Sequence, residues 1–200
     1  MSAAPAPRVV LFDLGGVLLP FERERRIAEI VRRLGCDAAA ARAIFDGDLP
    51  VRMDLGLADE RDYAAAFTAL AGRAVEAGEA RALILSVFDA PDAAAWALAA
   101  ALAGRFAVGG FSDNPPFVRE VFPPGAALEP MIFSAEIGAM KPSAAAFAAA
   151  ERIAGASGSD ILFLDDAPAN VEAALQRGWQ AIRYVSAAAL RRDLEERGLL

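Results

Sequence analysis

The sequence predicts an α/β protein, with a Rossmann-like parallel sheet as its core and a small helical cap inserted after the first strand. Short segments rich in β-branched and aromatic residues alternate with longer alanine-rich segments that suit helices. Residues 13 to 105 separate the first two strand segments, which is far more than one crossover helix requires. An additional helical unit is therefore expected within that gap.

Five strands are predicted in this order: Arg8 to Phe12, Phe106 to Phe111, Met131 to Ser134, Ile161 to Leu164 and Ala181 to Val185. Four of the five lead directly into a polar or glycine-containing turn. In open parallel sheets, ligands bind beyond the carboxyl ends of the strands. Functional residues are therefore expected in these turns.

Residues 21–89 are predicted to form the cap, and residues 1–20 and 90–200 the core domain. The cap contains four helical segments, "FERERRIAEIVRRLG", "DAAAARAIF", "ADERDYAAAFTALAG" and "EAGEARALILSVF", separated by glycines or by clusters such as "DGDLP". The segment "APDAAAWALAAALAG" resumes the core as its crossover helix. The tail from Ser186 predicts a capped helix that packs on the sheet.

Composition narrows the class of protein. Hydrophobic residues make up 56% of the chain, and no apolar run approaches the ~18 residues that cross a bilayer, so a soluble globular protein without membrane partners is expected. The single cysteine, Cys36, excludes an internal disulfide and a thiolate metal cluster. That cysteine usage, and an N-terminus without the apolar region of a signal peptide, predict a cytoplasmic location.

Charge and histidine content exclude further functions. The chain has no histidine, which removes Ser-His-Asp and Cys-His catalysis and the commonest zinc sites. A net charge of −7, without a basic cluster beyond short helical arginine runs, argues against binding of nucleic acid. Any catalysis must therefore use carboxylates, lysine or hydroxyls.

Polar residues follow four of the predicted strands. They are Asp13; Ser112, Asp113 and Asn114; Lys141; and Asp165, Asp166 and Asn170. Each has a purely structural alternative: Asp13 could start a turn, Ser112 could cap its loop, Lys141 could be exposed, and the Asp165/Asp166 pair could cap the next helix. Because all four groups fall at one edge of one sheet, a shared site is the better interpretation.

Four stretches resemble the motifs of the haloacid dehalogenase (HAD) superfamily of hydrolases. In order, they are "FDLGGVLL" with Asp13, "GFSDN" with Ser112, "GAMKP" with Lys141, and "FLDDAPANVEAA" with Asp165 and Asp166. The resemblance covers nearly the whole chain, and the position of the insertion implies the first cap type of that superfamily. The sequence is most similar to small sugar-phosphate phosphatases whose first motif also reads "FDLG".

The resemblance implies an aspartyl-phosphate formed at Asp13, which water then hydrolyses. An unperturbed aspartate, with a pKa of about 3.9, is ionised at neutral pH and needs no histidine to activate it. The implied catalytic residues are Asp13, Ser112 and Lys141. The implied Mg²⁺ ligands are Asp13, the Gly15 carbonyl, Asp165 and Asp166. The implied substrate-binding residues are Gly16, Asp113 and Asn114. Gly15 and Gly16 are expected to permit a turn with positive φ and a close approach to the ligand.

Gly15 departs from the family pattern. Most phosphatases of the superfamily carry at this position an aspartate that protonates the leaving group and then activates water, a role typically worth about 10²–10⁴ in rate. The enzyme would be slow, would use a good leaving group, or would borrow a carboxyl. Asp113 is one candidate, with an Asx turn as its alternative, and Glu22 and Glu24 are others, with a solvated helix face as theirs.

The leading prediction is a magnesium-dependent phosphatase of a small phosphorylated metabolite, with a sugar phosphate as one option. The alternatives are a catalytically weak phosphate-binding or regulatory protein and a metal-independent haloacid dehalogenase. Dehalogenases also lack the second aspartate, but "FLDDAPAN" retains an acidic pair suited to a metal, which favours the phosphatase. A mutase is disfavoured because it would need the missing acid in both directions of phosphoryl transfer. The substrate and oligomeric state are not predicted.

Other conspicuous side chains are interpreted as structural. Most cap arginines are expected to pair with neighbouring glutamates on the surface, and none is assigned as a ligand. These are Arg23, Arg25, Arg26, Arg32, Arg33 and Arg52. Trp96 and Trp179 are expected to pack in the core.

Overall fold

The computed structural model describes residues 5–200. Within this range a five-stranded, wholly parallel sheet has the order β3-β2-β1-β4-β5. The strands are β1 (Val9–Phe12), β2 (Ala107–Ser112), β3 (Met131–Phe133), β4 (Ile161–Asp165) and β5 (Gln180–Arg183). All five predicted strands are confirmed, with ends that differ by one or two residues.

The strand sequences explain this topology. Every residue of β1 and β4 is buried, and their apolar runs are nearly continuous, as parallel strands covered on both faces require. β1 lies in the middle of the sheet between β2 and β4, with Val10 in register with Val108 and Leu162. The carboxyl ends of these three strands therefore meet at one edge.

Five helices lie between β1 and the next core helix. They are α1 (Arg23–Leu34), α2 (Ala38–Asp46), α3 (Leu49–Asp54), α4 (Glu60–Ala71) and α5 (Ala77–Leu85). These helices, here called the helical insertion, enclose their own hydrophobic cluster, in which Ile30, Phe67 and Leu83 are fully buried. The prediction of four helices missed α3, which begins inside the expected separator "DGDLP". Pro50 is compatible with this start, because the first turn of a helix does not use the missing N–H.

The other helices cover the two faces of the sheet. They are α6 (Ala93–Ala103), α7 (Ser134–Ile137), α8 (Ala144–Ala154), α9 (Pro168–Gln176) and α10 (Ala187–Glu196). On one face, α6 and α10 pack against each other and join the core cluster. On the other face, Phe147 of α8 packs with Phe111 and Phe163 of the sheet. Ser186 caps α10 by accepting a bond from the Ala189 N–H, as predicted.

Two antiparallel connections join the helical insertion to the sheet. The Glu22 N–H donates to the Val87 carbonyl, and the Asp89 N–H donates to the Pro20 carbonyl, each at 2.9 Å. A further contact between the insertion and the core comes from Arg81 of α5, which donates to Glu120 in the 3-10 helix after β2. The insertion is thereby held over the carboxyl edge of the sheet. Across residues 5–200, we find no helix with the length and apolar character needed to span a membrane.

Candidate active site

Three carboxylates meet where β1 and β4 end. Asp13 follows β1, Asp165 ends β4, and Asp166 comes next along the chain. Pairing of the two strands places them together, because the Asp13 N–H donates to the Leu164 carbonyl at 2.8 Å. Each of the three offers an oxygen within 4.8 Å of the others. The parallel sheet thus builds a cluster of negative charge that requires a cation.

Lys141 supplies positive charge at the base of this cluster. Its Nζ lies 2.9 Å from Asp13 Oδ1 and 2.8 Å from Asp165 Oδ2, and it also donates to the Phe111 carbonyl at 3.0 Å. Burial opposes its charge, but the attraction of Asp13 and Asp165 outweighs burial and raises the pKa of Lys141. Lys141 therefore stays protonated, and its burial beside Asp13 and Asp165 rules out the alternative of an exposed lysine.

Asp13 is buried but keeps one oxygen unused. Oδ1 receives Lys141 and the Leu14 N–H at 2.8 Å, whereas Oδ2 has no hydrogen-bond donor within residues 5–200. Burial raises the pKa of Asp13 to about 7, with Lys141 lowering it and Asp165 adding to the rise. A cation near Oδ2 would favour the ionised carboxylate that nucleophilic attack requires.

Asp165 and Asp166 differ in their surroundings. Asp165 is fully buried, and its two oxygens accept bonds from Lys141, Asn170 and the Ala167 N–H at 2.8 to 3.2 Å. The structural alternative, in which this pair caps the next helix, does not hold, because Ala167 is at the cap position of α9 and no side chain within residues 5–200 caps that helix. The half-buried Asp166 lines the cavity with only backbone N–H groups near its carboxylate, and burial raises its pKa. Asp165 thus positions Lys141, while Asp166 is open to a ligand.

The two glycines after Asp13 are not equivalent. Gly16 has φ of 77°, and a Cβ there would lie 2.5 Å from Asp166 Oδ2, so the turn requires glycine at this position. Gly15 does not have positive φ, which corrects the expectation for that residue. A Cβ on Gly15 would meet Phe21 no closer than 3.7 Å. A side chain at position 15 is therefore sterically acceptable.

The loop after β2 contributes three of the predicted residues. Ser112 is fully buried and accepts a bond from Asn114 Nδ2 at 2.9 Å, while Asp113 and Asn114 line the cavity. Asp113 Oδ1 accepts the Lys141 N–H at 3.0 Å, so the carboxylate ties two loops together instead of forming a local Asx turn. Burial raises the pKa of Asp113 against the lowering effect of Lys141.

A cavity of about 410 Å³ lies between this edge and the helical insertion. The sheet side contributes Asp13, Gly15, Asp113, Asn114, Lys141, Asp166, Ala167 and Asn170. The insertion and its connections contribute Phe21, Arg23, Arg26, Asp54, Val87 and Phe88. The volume suits a small metabolite, and the lining combines carboxylates with arginines and aromatic rings.

Arg26 and Asp54 are cavity residues that the sequence did not reveal. The guanidinium of Arg26 stacks 3.8 Å from the Phe45 ring centroid, and its buried Nε has no partner within residues 5–200. Burial raises the pKa of Asp54 to about 7, with Asp113 adding to the rise and Arg26 opposing it. No local pattern marks either residue, since Asp54 ends the unpredicted α3 and Arg26 lies within a run of arginines.

The other proposed carboxyl donors lie outside the cavity. Glu24 is bound by Arg42 on the surface, and the exposed Glu22 precedes α1 without lining the cavity.

The pairing expected of the cap arginines with neighbouring glutamates is found for Arg32 and Arg33, whereas the other four make different contacts. Arg25 pairs with Asp89, and both Arg32 and Arg33 pair with Glu29. Arg52 reaches the Leu57 carbonyl at 3.4 Å. Arg26 and Arg23 line the cavity instead, although Arg23 also contacts Asp46 at 3.3 Å. Both tryptophans pack in the core, as predicted.

The donor set fits a magnesium ion. Mg²⁺ prefers oxygen ligands and is commonly bound through one or two carboxylates. Asp13 retains an unused oxygen, and Asp166 lines the same cavity. Of the residues that the resemblance assigns to the metal, Asp13 and Asp166 therefore offer open oxygens at this edge, whereas both oxygens of Asp165 already accept hydrogen bonds.

Comparison of structures gives the fold of the HAD family. A HAD-family enzyme of Bacteroides thetaiotaomicron, solved with magnesium and inorganic phosphate, has a TM-score of 0.77 at 22% identity, over 90% of this chain and 95% of that chain. A Porphyromonas gingivalis protein, described as a predicted HAD-like family hydrolase, has a TM-score of 0.78 at 21% identity, over 95% and 98%. L-2-haloacid dehalogenase of Xanthobacter autotrophicus has a TM-score of 0.61 at 19% identity, over 95% and 83%. No protein-family model and no curated protein matches the sequence.

Proposed function

We propose that this protein is a magnesium-dependent HAD-superfamily hydrolase that removes phosphate from a small phosphorylated metabolite. The observation that carries the proposal is the open Oδ2 of Asp13 beside the buried Lys141 and the Asp165/Asp166 pair. The neighbour of the same fold that was solved with magnesium and phosphate supports it.

In the first step, Asp13 Oδ2 attacks the phosphorus atom, and the bond from phosphorus to the leaving oxygen breaks. Lys141 holds Asp13 Oδ1, so the nucleophile is oriented before the substrate arrives. The donors of the loop after β2, Ser112 and Asn114, together with backbone N–H groups, would bind phosphoryl oxygens. Asp166 and the Gly15 carbonyl would hold magnesium beside Asp13, and the ion would neutralise the charge that nucleophile and phosphate share. Asp165, whose oxygens accept bonds from Lys141, Asn170 and the Ala167 N–H, would instead hold Lys141 in place.

In the second step, water attacks the aspartyl-phosphate, phosphate leaves, and the Asp13 carboxylate is restored. Both steps need a group that carries a proton, first to the leaving oxygen and then from water. Gly15 has no side chain to perform this task. The identity of the proton carrier is therefore the specific chemical question that this chain poses.

Phosphate release from a panel of small phosphate esters, with and without Mg²⁺, tests the proposal. We expect release that requires Mg²⁺ and that Asp13→Asn abolishes, because an amide cannot act as the nucleophile. Asp48→Asn is the matched control, since Asp48 is exposed on the insertion and makes no capping bond. Equal rates for wild type and Asp13→Asn would refute the proposal.

Gly15 also favours a second candidate, a binding or regulatory protein that forms the aspartyl-phosphate and hydrolyses it slowly. In that case a phosphate donor labels Asp13 stoichiometrically, and the label persists instead of turning over. Mass spectrometry of the intact chain, with Asp13→Asn as control, separates the two functions. A metal-independent haloacid dehalogenase would instead release halide from haloacids in the presence of a chelator.

A further inference from the structure

Four carboxylates line the cavity, and they have different partners. Asp13 is paired with Lys141, and Asp113 accepts the Lys141 N–H. Asp166 lies in the proposed metal cluster. Asp54, the fourth, has no hydrogen-bond or ion-pair partner within residues 5–200, and it reaches the cavity from the insertion side. Asp54 is therefore the cavity carboxylate that has neither a partner among residues 5–200 nor a proposed role as a metal ligand.

This lack of a partner sets Asp54 apart from other acidic residues of the helical insertion. Glu24, Glu29 and Glu79 are each bound by arginines. Arg26 also lines the cavity, but within residues 5–200 it forms no ion pair or hydrogen bond with Asp54. A half-buried carboxyl without such a partner is costly to keep ionised, so its retention in the cavity calls for a role there.

The position of Asp54 is held by the backbone around it. Asp54 is the last residue of α3, which packs against α7 of the core. Two residues later, Gly56 has φ of 71°, and a Cβ there would collide with the Ala135 carbonyl oxygen of α7. This close contact fixes the end of α3 against α7, and Asp54 therefore lies at the cavity on backbone that is packed against the core.

Charged and titratable groups on several elements face Asp54. They are Arg26 on α1, Tyr63 on α4 and Asp113 after β2, and Arg23 and Lys141 line the same cavity. Burial and Asp113 favour the protonated carboxyl, whereas Arg26 favours the carboxylate, and together they place the pKa of Asp54 at about 7. A group near this value can both give and accept a proton at neutral pH.

We propose that Asp54 is the proton carrier that replaces the carboxyl missing at Gly15, an inference that rests on the proposed hydrolase function. As Asp13 Oδ2 bonds to phosphorus and the ester bond breaks, the protonated Asp54 gives its proton to the leaving oxygen, which departs as an alcohol. As water then attacks phosphorus, the Asp54 carboxylate takes a proton from that water. Phosphate is released, and both carboxyl groups return to their starting states.

The leaving group distinguishes this role from simple binding. Nitrophenyl phosphate loses a stable phenolate and needs little protonation, whereas an alkyl phosphate loses a basic alkoxide and depends on an acid. We therefore measure release of the first product in a single turnover, with saturating Mg²⁺, because hydrolysis of the aspartyl-phosphate is common to both substrates. We expect Asp54→Asn to slow alcohol release from an alkyl phosphate by about 10²–10⁴-fold and nitrophenolate release by less than about threefold. Normal release of nitrophenolate in that single turnover also shows that the variant is folded.

Restoring the usual carboxyl gives an independent readout. Because position 15 has room for a side chain, the double variant Gly15→Asp, Asp54→Asn should regain most of its alkyl phosphate turnover. Asp48→Asn on the same insertion should change neither rate. Equal slowing of first-product release from both substrates, unchanged alcohol release in Asp54→Asn, or a double variant that releases only nitrophenolate would overturn the proposal.

The same experiment separates this inference from the proposed function. If Asp54 is not the proton carrier, nitrophenyl phosphate is still hydrolysed and Asp13→Asn still abolishes its turnover. If the hydrolase function itself is wrong, Asp13→Asn leaves release from both substrates unchanged.

Discussion

At the scale of single residues, the site depends on the ammonium group of Lys141, which two buried carboxylates share. Lys141 is the only lysine in the chain, and it neutralises two carboxylates in a region where its own side chain is 1% exposed. Since each buried charge is costly without its partners, loss of the lysine leaves Asp13 and Asp165 uncompensated. Lys141 is therefore expected to stabilise the fold as well as to hold Asp13, the proposed nucleophile, in position.

Lys141→Met should lower the free energy of unfolding by about 3–5 kcal/mol at pH 7, because it removes one partner from a buried charge cluster. Urea unfolding monitored by circular dichroism measures this change. Arg191→Met is the control, since its exposed pair with Glu195 is worth less than about 1 kcal/mol. A loss of less than about 1 kcal/mol for Lys141→Met would contradict the assigned role.

Asp54 gives a prediction about stability against pH that does not depend on activity. Its pKa is about 7 in the folded protein and near 3.8 in the unfolded chain, so between these values the folded state binds the extra proton. Its contribution to stability is thus full below about pH 4 and is lost as the pH rises through about 7. Asp54→Asn should unfold at higher urea concentration than wild type at about pH 8, with the difference shrinking toward about pH 4.

Wild-type and Asp54→Asn proteins would be compared by urea unfolding at several pH values from about 4 to about 8. Asp48→Asn, an exposed residue of the same insertion, should show a difference from wild type that does not depend on pH. A pH-independent difference for Asp54→Asn would show that its carboxyl titrates normally.

At the scale of elements, the strands were predictable and the short helix was not. Parallel strands that are buried on both faces consist of apolar runs such as Val9–Phe12, and such a run can be recognised in the sequence. Helix α3 spans only Leu49–Asp54, and a segment of that length is too short to show a helical period and begins at an Asp/Pro cluster typical of a turn. Its formation is decided by burial of Met53 in the insertion core.

Helix α8 offers a direct test of packing under the sheet. Phe147 is 1% exposed and lies 5.5 Å from Phe111 and 5.1 Å from Trp179, measured between ring centroids. Phe147→Ala should destabilise the protein by about 3–5 kcal/mol, because it opens a cavity in the aromatic cluster. Ile153→Ala on the same helix, 42% exposed, should change stability by less than about 0.5 kcal/mol. Thermal or urea unfolding checks both, and similar effects would contradict the packing argument.

At the scale of the whole molecule, the cavity exists because the helical insertion is held over the sheet edge. The paired connections near Glu22 and Asp89 and the Arg81–Glu120 contact bring the insertion to the core. The sheet edge contributes Asp13, Asp166 and Lys141 to the cavity, and the insertion contributes Arg26 and Asp54. Metal binding at the sheet edge should therefore stabilise the folded molecule as a unit.

Magnesium should raise the unfolding temperature of the wild-type protein. A ligand at about 100 times its Kd adds about 2.7 kcal/mol when it binds only the folded state. Asp166→Asn should remove most of the shift, since it deletes an open carboxylate of the cluster, whereas Asp48→Asn should retain it. Differential scanning calorimetry over a magnesium titration measures this effect. An unchanged shift in Asp166→Asn would exclude Asp166 as a ligand.

The sequence by itself determined the five strands and the residues that follow them. Both are local: an apolar run predicts a buried strand, and a polar residue at its end lies at the edge where parallel strands terminate. The positions of Asp13, Asp165 and Asp166 along the chain are therefore enough to predict that they meet at one place. Lys141 lies beyond α7, so the family resemblance was needed to place it in the same site.

Only the tertiary structure decided which residues complete the cavity and which of its carboxylates are free to contact a ligand. Asp54 and Arg26 belong to helices that reach the sheet edge through packing between distant parts of the chain, and no local pattern records such contacts. The distinction between the saturated Asp165 and the open Asp166 likewise depends on hydrogen-bond partners from other elements. The physical reason is that strand formation reflects the burial of neighbouring residues, whereas the chemistry of a cavity depends on groups that only folding brings together.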